Sequence, residues 1–310
     1  MLAPLIYAAT YELENVTWAA ELMERMLTKG ALKVDAGTLV VWLQQLMHRG
    51  RLDDAARLIA AMNEGPTTSA HQCWLLCLQG HYGEAIANYQ AGLKLLRKAS
   101  GRRNDYMRGM PAVCYLLALL QSADKRQLQQ AQKFVNAVEK SREPDPMFWT
   151  IAMLGSVVSV LLGDSRVEDS NLLQGQTFGT NPPLLELFRA MARVWLHVEP
   201  DGDIGLLVDY VSKAQQAGWR WYAREGARVL EALGQPLNSE PLKQAREGEC
   251  GAPLSALIKP VPAWQRSLQA LQELVVVEPT GASGAGTKSA SRLIWLLNSD
   301  DRYHLLAPRE

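Results

Sequence analysis

Apolar residues return every three or four positions through most of the first 275 residues, and that spacing confines the chain to amphipathic helices. Strong helix formers fill the positions between them. Helices are predicted at 3–11, 14–28, 36–48, 52–63, 69–79, 82–98, 106–121, 125–141, 147–162, 183–197, 203–216, 219–233 and 263–273. Connectors between them are short, so consecutive helices should pack as antiparallel pairs. The expected fold class is all-α.

One phrase within this pattern recurs. Arg49-Gly50-Arg51-Leu52-Asp53-Asp54-Ala55 is answered 30 residues later by Gln79-Gly80-His81-Tyr82-Gly83-Glu84-Ala85. Ile59 follows the first copy at the spacing with which Tyr89 follows the second, and small residues, Cys73 and Gly92, lie to either side of the second turn. These residues resemble the second half of a tetratricopeptide repeat, where a small side chain lets two helices approach and an aromatic fills the neighbouring groove. The resemblance implies a tetratricopeptide-like helical-repeat solenoid over residues 1–273, with degenerate outer units acting as caps. A third stretch, Asp105 to Ser141, keeps Ala118 and the Ala131, Phe134, Val138 stripe but has no matching glycine turn. A generic helical bundle is the alternative arrangement of the same helices.

Beyond residue 273 the pattern changes to short β-branched runs. Leu274-Val275-Val276-Val277, Arg292 to Leu297 and Tyr303 to Leu306 read as strands, joined by a Gly/Ser/Ala-rich linker and a turn at Asn298 to Asp301. A small β-meander over 274–310 is expected, forming the start of a following domain. An isolated hairpin is marginal in water, so it would need a surface to pack on.

At 48% hydrophobic content the chain can bury a large core, which excludes disorder as its general state. Lys and Arg together number 32, as do Asp and Glu, so no global charge draws the molecule to nucleic acid or anionic lipid. The four cysteines, Cys73, Cys77, Cys114 and Cys250, are too few and too irregular for a disulfide framework, which points to a reducing, cytoplasmic setting. No signal peptide or membrane-spanning run is expected.

Few patterns suggest chemistry. Gly281 to Ser289 looks like a phosphate-binding loop, but Thr287 separates Gly286 from Lys288 and a strand follows where a helix N-terminus is needed. Cys73 and Cys77 share a helix face with His71 and His81 nearby, yet a small packing role for Cys73 explains it better than a zinc site. The five histidines are scattered, without a nucleophile or carboxylate at a suggestive spacing. No catalytic residue, metal or cofactor is expected in this chain.

Two features suggest binding. Lys94, Arg97, Lys98, Arg102, Arg103 and Arg108 crowd six cations into fifteen residues, opposed only by Asp105. A helix end welcomes cations, and the same cluster can follow a phosphate backbone or an acidic partner. Trp219 and Trp221 lie two residues apart, so they cannot share one helix face, and one of them is a candidate anchor for a partner groove.

A wider set of phrases carries a second resemblance. Leu93 to Arg103, Tyr115 to Leu120, Ala217 to Glu225, Arg292 to Leu297 and Leu306 to Glu310, in that order, are similar to the region upstream of the motor in large bacterial Swi/Snf-type helicases. The resemblance implies a piece of a longer ATP-dependent helicase or translocase, whose own ATPase motifs are not in this stretch. The chain would then be a non-catalytic accessory scaffold, contacting a protein partner or the motor of the same polypeptide, with DNA as a further partner and no membrane or small-molecule substrate. The alternative is a free-standing tetratricopeptide-like adaptor that holds a protein partner.

Overall fold

A computed structural model describes residues 36–247 apart from 102–105, 122–123, 142–144, 167–168, 175–182 and 197–199, together with 21–22, 24–25, 294–297 and 303–306. The chain divides into two compact units, Met1–Pro260 and Val261–Glu310.

The described residues of the first unit are helical: α1 (Ala36–His48), α2 (Leu52–Ala60), α3 (Pro66–Leu78), α4 (Tyr82–Ser100), α5 (Met110–Gln121), α6 (Lys125–Glu139), α7 (Phe148–Leu162), α8 (Pro183–Trp195), α9 (Pro200–Gln216), α10 (Arg220–Ala232) and α11 (Glu240–Glu247). Ten of these fall where the apolar spacing predicts them, and α11 was not foreseen. Helices predicted at 3–11, 14–28 and 263–273 lie wholly or mostly outside the described residues.

In the second unit, β1 (Ile294–Leu297) and β2 (Tyr303–Leu306) pair antiparallel, with Ile294 opposite Leu306 and Leu297 opposite Tyr303. The expected first strand at 274–277 lies outside the described residues, so the meander is not shown.

Two kinds of helix build the first unit. In α5 every residue from Met110 to Gln121 is buried, and α3 is buried continuously from Ala70 to Leu78 apart from Gln72. By contrast α2 hides only Leu52, Ala55 and Ile59, and α6 only Leu128, Ala131, Phe134, Val135 and Val138, each a single stripe at helical spacing. Central helices are thus apolar all round, and covering helices present one face.

Each helix packs on the next along the chain, and α3 on α5, α5 on α7, α8 on α10 and α9 on α11 also meet. A linear stack of pairs would stop there. Here α10 also packs on α1, and the Trp221 indole N–H donates to the Leu78 carbonyl at the end of α3, 3.2 Å away.

The repeated phrase has a physical basis in its turns. Gly50 and Gly80 adopt left-handed backbone angles, φ 74° and 82°, that favour glycine. The amides after them then bond back to the Leu46 and Leu76 carbonyls at 2.9 and 2.8 Å, closing α1 and α3 in the same way. The next helices start from Arg51 and His81 at nearly equal angles, and a fully buried alanine, Ala55 or Ala85, follows five residues after each glycine.

A third copy of this turn joins α9 to α10. Gly218 has φ 83°, the Trp219 amide bonds the Ala214 carbonyl at 2.9 Å, and buried Ala223 holds the Ala85 position. It escaped detection because only glycine and alanine are kept.

Between α3 and α4 the approach is close. A Cβ on Gly92 would sit 2.7 Å from the Ser69 Cβ, so only glycine fits. Tyr89, one turn earlier, donates its hydroxyl to the Met107 carbonyl at 2.7 Å, accepts from the Met107 amide at 2.8 Å and stacks on Tyr115 at 4.1 Å between centroids. One side chain thereby joins α4, the α4–α5 loop and α5.

Ala85, one turn before Tyr89 on α4, is fully buried. Ala85→Trp is expected to cost about 3 kcal/mol by overpacking, lowering the thermal midpoint by roughly 6–12 °C. An unchanged midpoint in a thermal melt would show that the alanine does not mark the helix crossing.

Two arginines on α8 tie a loop and a helix together. Arg189 donates to the Leu172 carbonyl and to the Glu186 carboxylate at 2.6 Å, while Arg193 donates to the Leu173 carbonyl at 2.8 Å and to Asp203 of α9 at 2.6 Å. All four charged side chains are buried or nearly so.

Candidate functional site

The predicted cations gather around the last turns of α4. Lys94, Arg97 and Lys98 are exposed there, next to Leu95, which is itself 41% exposed. Gly101 ends the helix in the left-handed conformation, and Arg97 and Lys98 complement the negative end of the helix dipole. Arg102 and Arg103 lie outside the described residues.

Arg108 is exposed and lines a cleft together with Leu96 of α4, which brings it to the same end of that helix. The hold of Tyr89 on Met107 fixes the backbone beside it.

The tryptophan expectation requires correction. Trp219 is 3% exposed and Trp221 is fully buried, so neither offers a ring to a partner groove. Trp219 precedes α10 as its cap residue and stacks on the His48 imidazole at 5.2 Å between centroids. Trp221 enters the core on the other side and bonds Leu78. Both are buried without sharing a face because α10 is surrounded, with Trp221 to Ala227 all buried.

Cys73, Cys77, Cys114, His48 and His71 are all withdrawn into the interior. Burial pushes the Cys73 thiol well up, and does the same to Cys114. Cys73 lies with its sulfur 4.0 Å from the Pro111 carbonyl, a packing position at the meeting of α3 and α5. Desolvation lowers the His48 imidazole to about 3 and lowers His71 as well. Among the described residues, no three His, Cys, Asp or Glu side chains form a set fit to hold a metal ion, and no helix is long and apolar enough to cross a membrane.

The cleft that Arg108 lines has a volume of about 410 Å³ and opens where the N-terminal ends of α3, α5 and α7 meet. Prolines mark that edge, Pro66 in the first turn of α3, Pro111 in that of α5 and Pro146 just ahead of α7. Asp145 already serves two of these helix starts, accepting from the Gly109 amide at 3.3 Å and from the Met147 amide at 2.7 Å. Its carboxylate therefore neutralises the positive ends of α5 and α7.

Sequence reasoning flagged Arg108 and passed over the rest of the cleft, whose walls come from five separate stretches. Recurrent prolines before apolar helices were the available signal. No family model, curated protein or solved structure matches the chain.

Proposed function

We propose that this chain is a non-catalytic interaction module, an accessory scaffold beside an ATP-dependent Swi/Snf-type motor, built as a helical-repeat solenoid and touching DNA through the end of α4. The observation that carries the reading is the contrast between surface and interior. Lys94, Arg97, Lys98 and Arg108 stand exposed around one helix end, whereas Cys73, Cys114, His48 and His71 are buried and held in their neutral forms. The similar phrases fall largely on framework: Tyr115 to Leu120 lies inside α5, and Ala217 to Glu225 forms the α9–α10 turn. Their role is to set the scaffold, and the Leu93 to Arg103 phrase supplies the charged contact.

Binding of a short labelled duplex, followed by anisotropy across a salt series, tests this. Affinity is expected to be micromolar at low salt, without sequence preference, and to fall with a slope of about −0.9 per phosphate contact. Replacing Lys94 and Lys98 by alanine should flatten the slope by about two while leaving the melting temperature nearly unchanged. No salt-dependent binding at about 50 mM salt would remove DNA contact from the role of this chain.

A further inference from the structure

The cleft has a further border that the phosphate contact does not use. Leu96 of α4, Arg108 and Met147 all line it, so the cationic end of α4, Arg108 and the start of α7 surround one space. The Asp145 carboxylate ties the last two together, accepting from the Gly109 amide at 3.3 Å and from the Met147 amide at 2.7 Å. Trp149 follows in the first turn of α7.

Among the described tryptophans Trp149 alone is exposed, at 38%, and the half-buried Phe148 ring meets it edge-on at 5.3 Å between centroids. Pro146 and Arg108, on the lining of the same cleft, are exposed as well. An indole left in water gains free energy when a flat apolar face covers it. Cations close to an exposed aromatic ring are the two components of a single-strand site, in which the backbone follows the charges and a base stacks on the ring. A duplex meets only the first of these, because its bases already stack on one another.

We infer that this surface takes single-stranded DNA, its phosphates along Lys94, Arg97, Lys98 and Arg108 and one unpaired base stacked on the Trp149 indole. This rests on the phosphate contact proposed above and names the form of DNA that the contact serves.

Anisotropy titrations of the full chain with labelled oligothymidylate, with the same strand lacking its bases and with a duplex of equal length test the inference. Oligothymidylate is expected to bind about five- to hundredfold more tightly than the abasic strand, the effect of stacking one base on an aromatic ring. Trp149→Ala should remove that difference while leaving duplex affinity and the salt slope unchanged, and Trp149→Phe should keep part of it. If Trp149→Ala loses its helical signal, the ratio of the two strands on the unsubstituted protein decides instead. Should none of the three probes be retained at about 50 mM salt, the phosphate contact itself is absent and the inference falls with it. Duplex binding together with equal affinity for the two strands would overturn the inference alone. Equal weakening of duplex and strand by Trp149→Ala would make the indole a wedge between base pairs and would overturn the single strand as ligand.

Discussion

Asp203→Ala is expected to cost about 3–5 kcal/mol, a large part of the stability of an ordinary domain. Asp203 is 1% exposed and Arg193 8%, and their charged groups meet at 2.6 Å. Such a pair gains little over a hydrophobic replacement, because both ions have left water. Removing only the carboxylate leaves a guanidinium in a low-dielectric interior, and that penalty is the source of the effect. The loss should spread, since Arg193 also holds the Leu173 carbonyl and links α8 to α9. Equilibrium unfolding in urea measures it directly. The double variant Arg193→Met with Asp203→Leu is expected to regain most of the loss, as buried pairs replaced by apolar side chains often do. A single-variant loss below about 1 kcal/mol would mean that water reaches the pair.

Stability should also fall as the solution is made mildly acidic, because of His48. This imidazole is fully buried, 5.1 Å from the Trp74 ring, 5.2 Å from Trp219 and 5.6 Å from Tyr222 between centroids. Burial lowers its pKa from 6.5 to about 3. Above pH 6.5 it is neutral in both the folded and the unfolded chain, and its full contribution is present.

Below that pH the unfolded chain takes up a proton that the folded chain refuses, so stability declines until the pH reaches about 3. At 1.36 kcal/mol per unit the whole interval corresponds to roughly 4–5 kcal/mol, of which about 2 kcal/mol is lost by pH 5. His71, lowered by burial too, acts in the same direction. Denaturant midpoints between pH 7 and pH 5, above the range of ordinary carboxylates, isolate the effect. His48→Phe should flatten most of the dependence. Equal stability at pH 7 and pH 5 would contradict a buried neutral imidazole.

Much of the helical layout was legible because burial on one face writes itself into the sequence every three or four residues. The stripes of α2 and α6 are examples, with Leu52, Ala55 and Ile59 in one and Ala131, Phe134 and Val138 in the other. The short helix α11 was missed because it hides only Leu242 and Ala245 among its described side chains, although Ser239 ahead of Glu240 and Pro241 is a start signal.

Trp219 and Trp221 misled for a different reason. The face argument assumes a helix with a wet side, and α10 has almost none. Arg224 and Glu225 sit inside it at 3% and 1% exposure, which no local spacing foretells. The cleft was equally hidden, since His71, Leu96, Met107 and Met147 come together only once α3, α4 and α7 have packed.

The contact of α10 with α1 and α3 can form only late in the synthesis of this protein. During synthesis α1 and α3 leave the ribosome long before α10, and the hydrogen bond from Trp221 to Leu78 spans 143 residues. Until Trp219 and Tyr222 emerge, the His48 ring, which packs edge-on against Trp74, has no cover from that side. Closing so long a loop is slow compared with pairing neighbouring helices. The nascent chain therefore carries an uncovered aromatic surface while the residues between α3 and α10 are made, the kind of segment that chaperones bind and that a premature stop before α10 would leave permanently exposed.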